Sequence, residues 1–471
     1  MREDDYLAQD AIGLAKLIAD REVSASEVLE AALARMGKVN ATVNAVTLDL
    51  TERARQEARG DLKGPLAGVP FLLKDLGPKL VGTPTTGACK LHATEIADAD
   101  SPLTQLYREA GLVIFGKTNT PELGLEPVTE PRMFGPTRNP WDPSRTAGGS
   151  SGGAAAAVAA GILPAAHASD GGGSIRIPAS CCGLFGLKPS RARVSAAPGN
   201  EGWGGFSCGH VVSHSVRDSA LLLDIAGRPQ PGDPYWTAPP ASPFLDDALR
   251  DPKPLRVAFT TAAFSSEGLD PECAAAVRAA AQLCERLGHH VEEADPPIDR
   301  AALAAGGVVI AASVAADLDA VAETRGRPIG QDEVEPITWS SYQRGRGISG
   351  SAYVRALRAA HALGRAVAGF FERYDILICS TLGRPAVPVG WLHGEPLDPA
   401  GYADRLFSFM PNTQAFNLTG QPAASIPLAM SRDGLPIGVQ FVARQAEDGL
   451  LFSLAGQIER AAPWGARRAP I

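Results

Sequence analysis

The sequence predicts an α/β protein in which a central mixed β-sheet is covered by helices. Short buried runs rich in Val, Ile, Leu and Phe alternate along the chain with longer segments whose apolar residues recur at helical spacing. Apolar residues make up 45% of the 471 residues and charged residues 20%, which is ordinary for a globular protein and excludes a disordered or fibrous chain. The 50 glycines and 38 prolines indicate many loops, and catalytic residues often lie on loops held by a rigid scaffold.

The individual elements follow from local patterns. Ser24 followed three residues later by Glu27 is a capping box, which marks the start of a helix over 25–38. A buried run over 68–73 predicts a strand that ends at Lys74, a position that suits a catalytic residue. The other helices are expected at about 7–19, 102–110, 152–160, 216–226, 271–287 and 300–323, and the other strands at 112–115, 164–168, 255–259, 290–293, 376–379, 423–427 and 437–442.

We expect one domain over residues 1–471. Its parts are N-terminal helices over 1–65, a core over 66–227 that holds the catalytic residues, and a variable substrate-side region with C-terminal sheet and helix elements over 228–471. Prolines accumulate over 228–254, which we interpret as a surface excursion because the predicted strands that follow still need neighbours in a sheet.

Composition limits the partners and the location. A net charge of −8 and a pI near 5.6 disfavour nucleic acid and anionic membranes, so a small molecule is the expected partner. The seven cysteines show no CxxC pair or regular spacing, which indicates neither a disulfide framework nor a metal site, and no cofactor is expected. The acidic Glu3, Asp4 and Asp5 give no cleavable signal, and the apolar run 301–316 is too short and weakly apolar for a membrane span. We therefore expect a cytoplasmic protein with reduced thiols.

The most unusual segment lies between residues 146 and 195. It contains GGSSGG at 148–153, DGGGSIRIPAS at 170–180 and GLKPS at 186–190. Neither glycine-rich run supplies the GxxxxGK followed by Ser or Thr that a phosphate-binding Walker loop requires. GGSSG fits the GxSxG nucleophile elbow, but the polar, Pro-containing segment 139–145 does not read as the buried strand that must precede an elbow.

These motifs together resemble the amidase signature family. GGSSGG is followed by DxGGSIRxPA, whose serine lies 24 positions after Ser150, and then by CGxxGLKPS. Further matching motifs are KD at 74–75, GKTN at 116–119, NLTGQPAASIP at 417–427 and DGLPIGVQ at 433–440. The resemblance covers nearly the whole chain except about 240–415, and it implies the amidase signature fold and hydrolysis of carboxamides through an acyl-enzyme.

Within the family, one branch is the most similar. The run around Ser174, WGG at 203–205 and GDPYW at 232–236 look most like the branch that contains 6-aminohexanoate cyclic-dimer hydrolases. This resemblance implies an uncharged, bulky or cyclic amide. The pockets for its acyl and amine parts are expected from 120–135, 196–210 and 300–415, with Glu122, Trp203 and Phe206 as candidates for the substrate entrance.

By the resemblance, Ser174 is the nucleophile, Ser150 is a bridging serine that follows a cis peptide bond, and Lys74 is the base. A serine hydroxyl needs a base to take its proton, and the eight histidines show no motif that ties one of them to Ser174. A neutral lysine can serve if burial lowers its pKa by about three units from its ordinary value near 10.4. Asp75 must then point away, since it would hold Lys74 charged.

Neighbouring residues are expected to support this chemistry. The backbone amides of Gly171, Gly172, Gly173 and Ser174 would line an oxyanion hole, where they stabilise developing negative charge. Asp170 and Arg176 are expected to brace that loop as an ion pair. Ser151 is a structural support, and the alternative reading of Ser150 or Ser151 is a cap of the helix that follows.

Other functions remain open at this stage. The same site occurs in the A-type subunit of glutamyl-tRNA amidotransferase, which acts in a complex, and it would also suit an esterase or carbamate hydrolase. A catalytically idle binding protein is disfavoured because Lys74, Ser150 and Ser174 are all present. The expected partner is a small-molecule amide, without nucleic acid or membrane, and a homodimer is a possible assembly.

Overall fold

A computed structural model gives the fold for residues 1–199, 201–298, 300–394 and 399–471. The strands are β1 Val46–Asp49, β2 Pro70–Lys74, β3 Val113–Thr118, β4 Arg138–Asn139, β5 Asp142–Thr146, β6 Ala165–Asp170, β7 Phe185–Lys188, β8 Cys208–Ser213, β9 Arg256–Phe259, β10 His290–Glu293, β11 Ile376–Ser380, β12 Ala423–Met430 and β13 Pro436–Ala443. The helices are Glu3–Leu7, Ala11–Ala19, Ala25–Val43, Thr51–Glu57, Pro102–Glu109, Gly152–Ala159, Arg176–Cys182, Val216–Ala226, Phe244–Ala248, Pro271–Arg286, Arg300–Arg325, Pro336–Arg346, Gly350–Phe370, Pro399–Phe409, Ala415–Thr419 and Asp448–Ala461. Short 3-10 turns lie at Lys90–His92, Glu122–Gly124 and Gln331–Glu333.

The large sheet is mixed, as the sequence predicts. Its strand order is β10-β9-β11-β13-β12-β7-β8-β6, with β10, β9 and β11 parallel to one another and the other neighbouring pairs antiparallel. The strands predicted at 68–73 and 112–115 are instead β2 and β3 of a separate sheet with the order β1-β3-β2. This small sheet meets the large one where β2 packs against the edge strand β6.

The N-terminal helices show how local capping sets the boundaries. Ser24 accepts a hydrogen bond from the Glu27 amide, and the Glu27 carboxylate accepts one from the Ser24 amide, so the predicted capping box is confirmed. The helix expected at about 7–19 begins only at Ala11, because Asp10 caps it by accepting a hydrogen bond from the Gly13 amide at 2.9 Å, and a separate short helix, Glu3–Leu7, precedes it.

The Ala-rich helix Gly152–Ala159 lies in the core, and every one of its residues is buried. It packs against β6 and against the helix Arg176–Cys182. Its small side chains allow neighbouring backbones to approach closely, since a Cβ on Gly153 would lie 2.6 Å from the Asn119 carbonyl oxygen. The segment that carries Ser150 and Ser151 therefore leads into a rigidly packed helix.

Two sequence expectations need correction. The segment 139–145, read as a loop, contributes to a hairpin of β4 and β5, although β5 is partly exposed and is not the buried strand that a nucleophile elbow requires. The apolar run 301–316 belongs to the helix Arg300–Arg325, which within the described ranges is long and apolar enough to cross a membrane by length and composition. In this structure it packs against the helices Pro336–Arg346 and Gly350–Phe370, and 44% of its most apolar stretch is buried.

Candidate active site

Lys74 lies at the end of β2, a strand whose five residues are all buried. Its Nζ is 2.7 Å from the Ser150 Oγ and 3.0 Å from the Ser169 Oγ. Burial lowers the pKa of Lys74 to about 7, although the charge of Asp170 acts in the opposite direction. The amine can therefore be neutral near pH 7, which is the state that a base requires.

Asp75, the next residue, is turned away from this amine. Its carboxylate accepts hydrogen bonds from the amide of Thr86 at 3.0 Å and from the Thr86 hydroxyl. Burial raises the pKa of Asp75, and the smaller effect of the nearby Lys117 charge acts to lower it. The arrangement meets the condition that Asp75 must not hold Lys74 charged.

Ser150 follows a cis peptide bond from Gly149. A Cβ on Gly149 would lie 2.7 Å from backbone atoms of Glu126 and Val128, so only glycine fits beside this bond. The Ser150 hydroxyl faces Lys74 rather than the end of the helix Gly152–Ala159.

Ser151 ties three segments of the site together. Its hydroxyl donates to the Ser169 carbonyl oxygen and accepts from the Ser169 amide, both at 3.2 Å, and its own amide donates to the Ser174 carbonyl oxygen at 3.2 Å. Ser151 is the N-cap residue of the helix Gly152–Ala159, but its side chain makes no capping hydrogen bond. The capping alternative is therefore wrong for both side chains.

Ser174 lies between β6 and the helix Arg176–Cys182 and is partly exposed. It lines the same cleft as Ser150 and Ser169. Among the residues that the structure describes, no group forms a hydrogen bond with the Ser174 hydroxyl. The structure thus joins Lys74 to Ser150 directly, and it places Ser174 on the shared cleft without a hydrogen bond to Ser150.

The three predicted oxyanion glycines differ in the state of their amides. The Gly173 amide donates to the Asp170 carboxylate at 2.7 Å, and its φ of +136° is a conformation that favours glycine. Within the described part of the chain, the amides of Gly171, Gly172 and Ser174 donate to no other group. These three N–H groups are the ones available to a developing oxyanion.

Asp170 and Arg176 form a buried ion pair behind this loop. The Arg176 Nε lies 2.9 Å from the Asp170 Oδ2, and both side chains are fully buried. Burial alone would raise the pKa of Asp170, but the adjacent Arg176 lowers it to about 2. Asn417 completes the network by donating to Asp170 at 2.9 Å and accepting from Arg176 at 2.6 Å.

The cleft itself has a volume of about 480 Å³. The residues that line it are Leu76, Gly77, His92, Leu123, Gly124, Ser150, Ser169, Gly171, Ser174, Gly202, Trp203, Ser207, Val314, Asp317, Leu318 and Ala320. The segments 120–135, 196–210 and 300–415 all contribute to it through the parts that the structure describes. Glu122 and Phe206, two candidates for the entrance, are buried elsewhere, so of those three only Trp203 lines the cleft.

Trp203 belongs to a left-handed turn, Gly202–Gly205, that forms part of the cleft wall. All four residues have positive φ, with values of 50°, 49°, 63° and 80° in chain order. Three of the four are glycines, which adopt this conformation without steric cost. The turn places the indole ring against Gly171 in the glycine-rich loop 171–174, since a Cβ on Gly171 would lie 2.6 Å from two ring atoms.

Sequence reasoning missed some residues of the site. Ser169 directly precedes the DGGGS motif, and a hydroxyl at a strand end was the available signal. Asn417 lies in the NLTG motif, but nothing in the sequence showed that it would reach Asp170. All seven cysteines are buried and free, and within the described ranges no three His, Cys, Asp or Glu residues are grouped so that they could hold a metal ion.

Comparisons with known proteins identify the family of the chain. The sequence profile of the family described as Amidase matches residues 27–452. The 6-aminohexanoate-cyclic-dimer hydrolase of Paenarthrobacter ureafaciens is 39% identical over 476 residues, covering 98% of this chain and 96% of that protein. The protein of the same name from Pseudomonas sp. (strain NK87) is 40% identical with the same coverage.

The fold is also similar to that of a solved relative. A solved structure of 6-aminohexanoate cyclic dimer hydrolase complexed with substrate superimposes with a TM-score of 0.94 at 39% identity, covering 98% of this chain and 99% of that one. The chain therefore belongs to the amidase signature family and is an amidohydrolase.

Proposed function

We propose that this protein hydrolyses small amides, cyclic amides included, through an acyl-enzyme formed on Ser174. The observation that carries the proposal is the fully buried Lys74 amine, which lies 2.7 Å from the hydroxyl of Ser150, a residue that lines the same cleft as Ser174. The two relatives named as 6-aminohexanoate-cyclic-dimer hydrolases support the choice of cyclic amides.

Acylation begins with proton transfer along the three side chains. Neutral Lys74 takes the proton of Ser150 while Ser150 takes the proton of Ser174, and the Ser174 Oγ attacks the carbonyl carbon. The amides of Gly171 and Gly172, with that of Ser174, stabilise the negative oxygen of the tetrahedral intermediate. As this intermediate collapses, the carbon–nitrogen bond breaks and the relay returns the proton to the leaving amine.

Deacylation uses the same groups. Water replaces the amine in the cleft and attacks the acyl carbon, giving a proton to Ser150 while Ser150 passes its own proton to Lys74. When the bond from the acyl carbon to the Ser174 Oγ breaks, the relay returns the proton to that oxygen and a carboxylic acid is released. Ser169 positions the base throughout, because its hydroxyl holds Lys74 from a second direction at 3.0 Å. The ion pair of Asp170 and Arg176 keeps the oxyanion loop in place.

The decisive experiment compares wild type with Ser174→Ala on linear and cyclic amides. We expect near-total loss of turnover in the variant, and a comparable loss in Lys74→Ala, because residues that act as a unit lose activity together. An amide and an ester with the same acyl group, assayed in hydroxylamine, should give the same ratio of hydroxamate to acid if both pass through one acyl-enzyme. Substantial turnover by Ser174→Ala would refute the assignment.

Two further questions separate this proposal from its alternatives. An amidotransferase subunit works in a complex, so amide hydrolysis by the purified chain alone supports the stand-alone enzyme. Activity on esters and carbamates at the same site is expected as a side reaction, since these substrates share the tetrahedral intermediate. The cytoplasmic location and the homodimer stay predictions, and gel filtration of the purified chain tests the latter.

A further inference from the structure

One wall of the cleft carries a carboxylate that the proposed reaction does not use. Asp317 lies on the helix Arg300–Arg325 and lines the cleft together with Val314 and Leu318 of the same helix. Among the described residues that line the cleft, it is the only Asp, Glu, Lys or Arg. The wall is otherwise apolar here, with Leu76 and Leu123 facing the same space.

Asp317 also lacks a partner within the described part of the chain, where its side chain forms neither a hydrogen bond nor an ion pair. Partial burial raises the pKa of Asp317, and the neighbouring His92 acts in the opposite direction. His92 is itself turned to Glu95, with 3.0 Å between its Nδ1 and the Glu95 Oε1. Asp317 is exposed to the open cleft, so its carboxylate can pair with a charged group of a ligand bound there.

The cleft also contains an aromatic ring. Trp203 packs on Gly171 and contributes to the lining, so the cleft that holds Ser174 offers both a carboxylate and an indole. These are the two kinds of side chain that recognise ammonium groups, through charge-assisted hydrogen bonds and through cation–π contacts. The net charge of −8 further favours the approach of cationic molecules.

We propose that Asp317 is a specificity-determining residue and that the preferred substrates are amides with a primary ammonium group remote from the scissile bond. The inference rests on the proposed amide hydrolysis at Ser174 and changes the expectation of an uncharged substrate. The ammonium would lie against the helix Arg300–Arg325 while the scissile carbonyl lies at Ser174. Binding energy from this remote group would then help to orient the carbonyl for attack.

The test uses matched pairs of substrates. One arm compares ω-aminoacyl p-nitroanilides of increasing chain length with isosteres in which a methyl group replaces the ammonium. In the second arm, the ammonium group lies in the leaving amine, and each substrate is again compared with an isostere that carries a methyl group in its place. In wild type, we expect kcat/KM for the ammonium substrate to exceed that of its isostere by about fivefold at the best chain length in at least one arm.

Three variants assign that preference to a residue. Asp317→Asn should abolish the preference, so that kcat/KM for the ammonium substrate falls to that of its neutral isostere. Asp317→Lys should reverse it in favour of a carboxylate-terminated isostere. Glu323→Gln, the matched control, removes the same charge from an exposed position of the same helix outside the cleft and should keep the wild-type ratio.

The possible failures are distinguishable. If the neutral isosteres are hydrolysed by wild type and not by Ser174→Ala, but both arms give equal ratios for wild type and Asp317→Asn, the role of Asp317 is refuted and the proposed function stands. If folded wild type hydrolyses none of the substrates, the proposed function fails and this inference fails with it. Circular dichroism of each variant confirms that the protein is folded.

Discussion

At the scale of single residues, the burial of Lys74 suits its proposed role as a base and lowers the stability of the fold. The side chain is completely buried, and its polar contacts are with the hydroxyls of Ser150 and Ser169 rather than with a carboxylate. The nearest acid that affects it, Asp170, is already paired with Arg176. Burial without a counter-ion favours the neutral amine, which is what a base needs and what a stable charged lysine would not provide.

This state of Lys74 predicts the pH dependence of activity. Because burial lowers the pKa of Lys74 to about 7, kcat/KM should rise with pH through about 7 and level off above it, as the amine loses its proton. The measurement is a pH profile with a neutral substrate whose own ionisation lies outside the range. Lys74→Arg is the control, since a guanidinium stays charged and should be inactive at every pH. A flat profile across pH 6 to 8 would contradict the role of Lys74 as base.

The same pKa predicts a gain in stability when the lysine is removed. An unfolded lysine keeps its proton up to a pH of about 10.5, whereas the folded one loses it near 7, so in this window the unfolded state holds more protons. The contribution of Lys74 to the free energy of unfolding therefore increases with pH over that window. Lys74→Met should be more stable than wild type at pH 7, by up to roughly 4 kcal/mol before the lost hydrogen bonds are subtracted.

Urea denaturation at pH 7 and pH 9.5 checks this prediction. The advantage of Lys74→Met should shrink at the higher pH, because wild type then carries less of the cost of deprotonation. Lys63→Met is the matched control, since Lys63 is exposed and its replacement should change stability little at either pH. A variant that is less stable than wild type at pH 7 and equally so at pH 9.5 would contradict the linkage.

At the scale of elements, the proposed oxyanion loop, residues 171–174, is held from two sides. Behind it, Asn417 of the helix Ala415–Thr419 joins the ion pair of Asp170 and Arg176. In front of it, the left-handed turn Gly202–Gly205 presses the Trp203 ring onto Gly171. The loop therefore depends on two distant segments of the chain, which fits the need for N–H groups that do not reorganise during the reaction.

The contact between Trp203 and Gly171 predicts a coupling between two substitutions. Gly171→Ala places a Cβ 2.6 Å from the indole ring, so the loop must shift and kcat should fall by at least about tenfold. In a Trp203→Ala background that clash is absent, and the same substitution should cost clearly less. A double-mutant cycle on kcat/KM measures the difference. Equal losses in both backgrounds would show that Gly171→Ala acts through the backbone and not through the ring.

Local signals predicted about half of the helices and strands that the structure describes, and not all of the arrangement that the site needs. The helix that starts at Ser24 and the strand that ends at Lys74 follow from a capping box and from a buried apolar run. Strands β7 and β8 were missed because their residues fall in or next to glycine-rich motifs that read as loops. Long-range packing also decides that β2 pairs with β3 rather than with the large sheet, and no local pattern encodes that choice.

The site shows the same division between local and long-range information. The resemblance to the amidase signature family pointed to Lys74, Ser150 and Ser174, and their motifs are local. The contact of Ser169 with Lys74 depends instead on β6 packing against β2, residues almost a hundred positions apart. The Gly173 amide was expected at the oxyanion, and only the three-dimensional path of the loop reveals that Asp170 already accepts its hydrogen bond.

At the scale of the whole molecule, the site lies across the junction of the two sheets. The small sheet supplies Lys74, and the edge strand of the large sheet supplies Ser169 and leads to Ser174. One continuous cluster of buried apolar side chains runs from Tyr6 to Trp464 and includes residues of both sheets. Neither sheet can bury its apolar face fully without the other, which favours a single cooperative unit over separate domains.

This architecture predicts how the protein unfolds. Activity requires the two sheets to remain packed, because separation would remove Lys74 from Ser150 and Ser169. Activity, far-ultraviolet circular dichroism and the fluorescence of the six tryptophans should therefore change at one denaturant concentration. A single midpoint shared by the three signals is informative, because chains of this size often populate intermediates during unfolding. An early loss of activity together with part of the circular dichroism, followed by a second transition at higher denaturant, would mean that the chain holds two cooperative units.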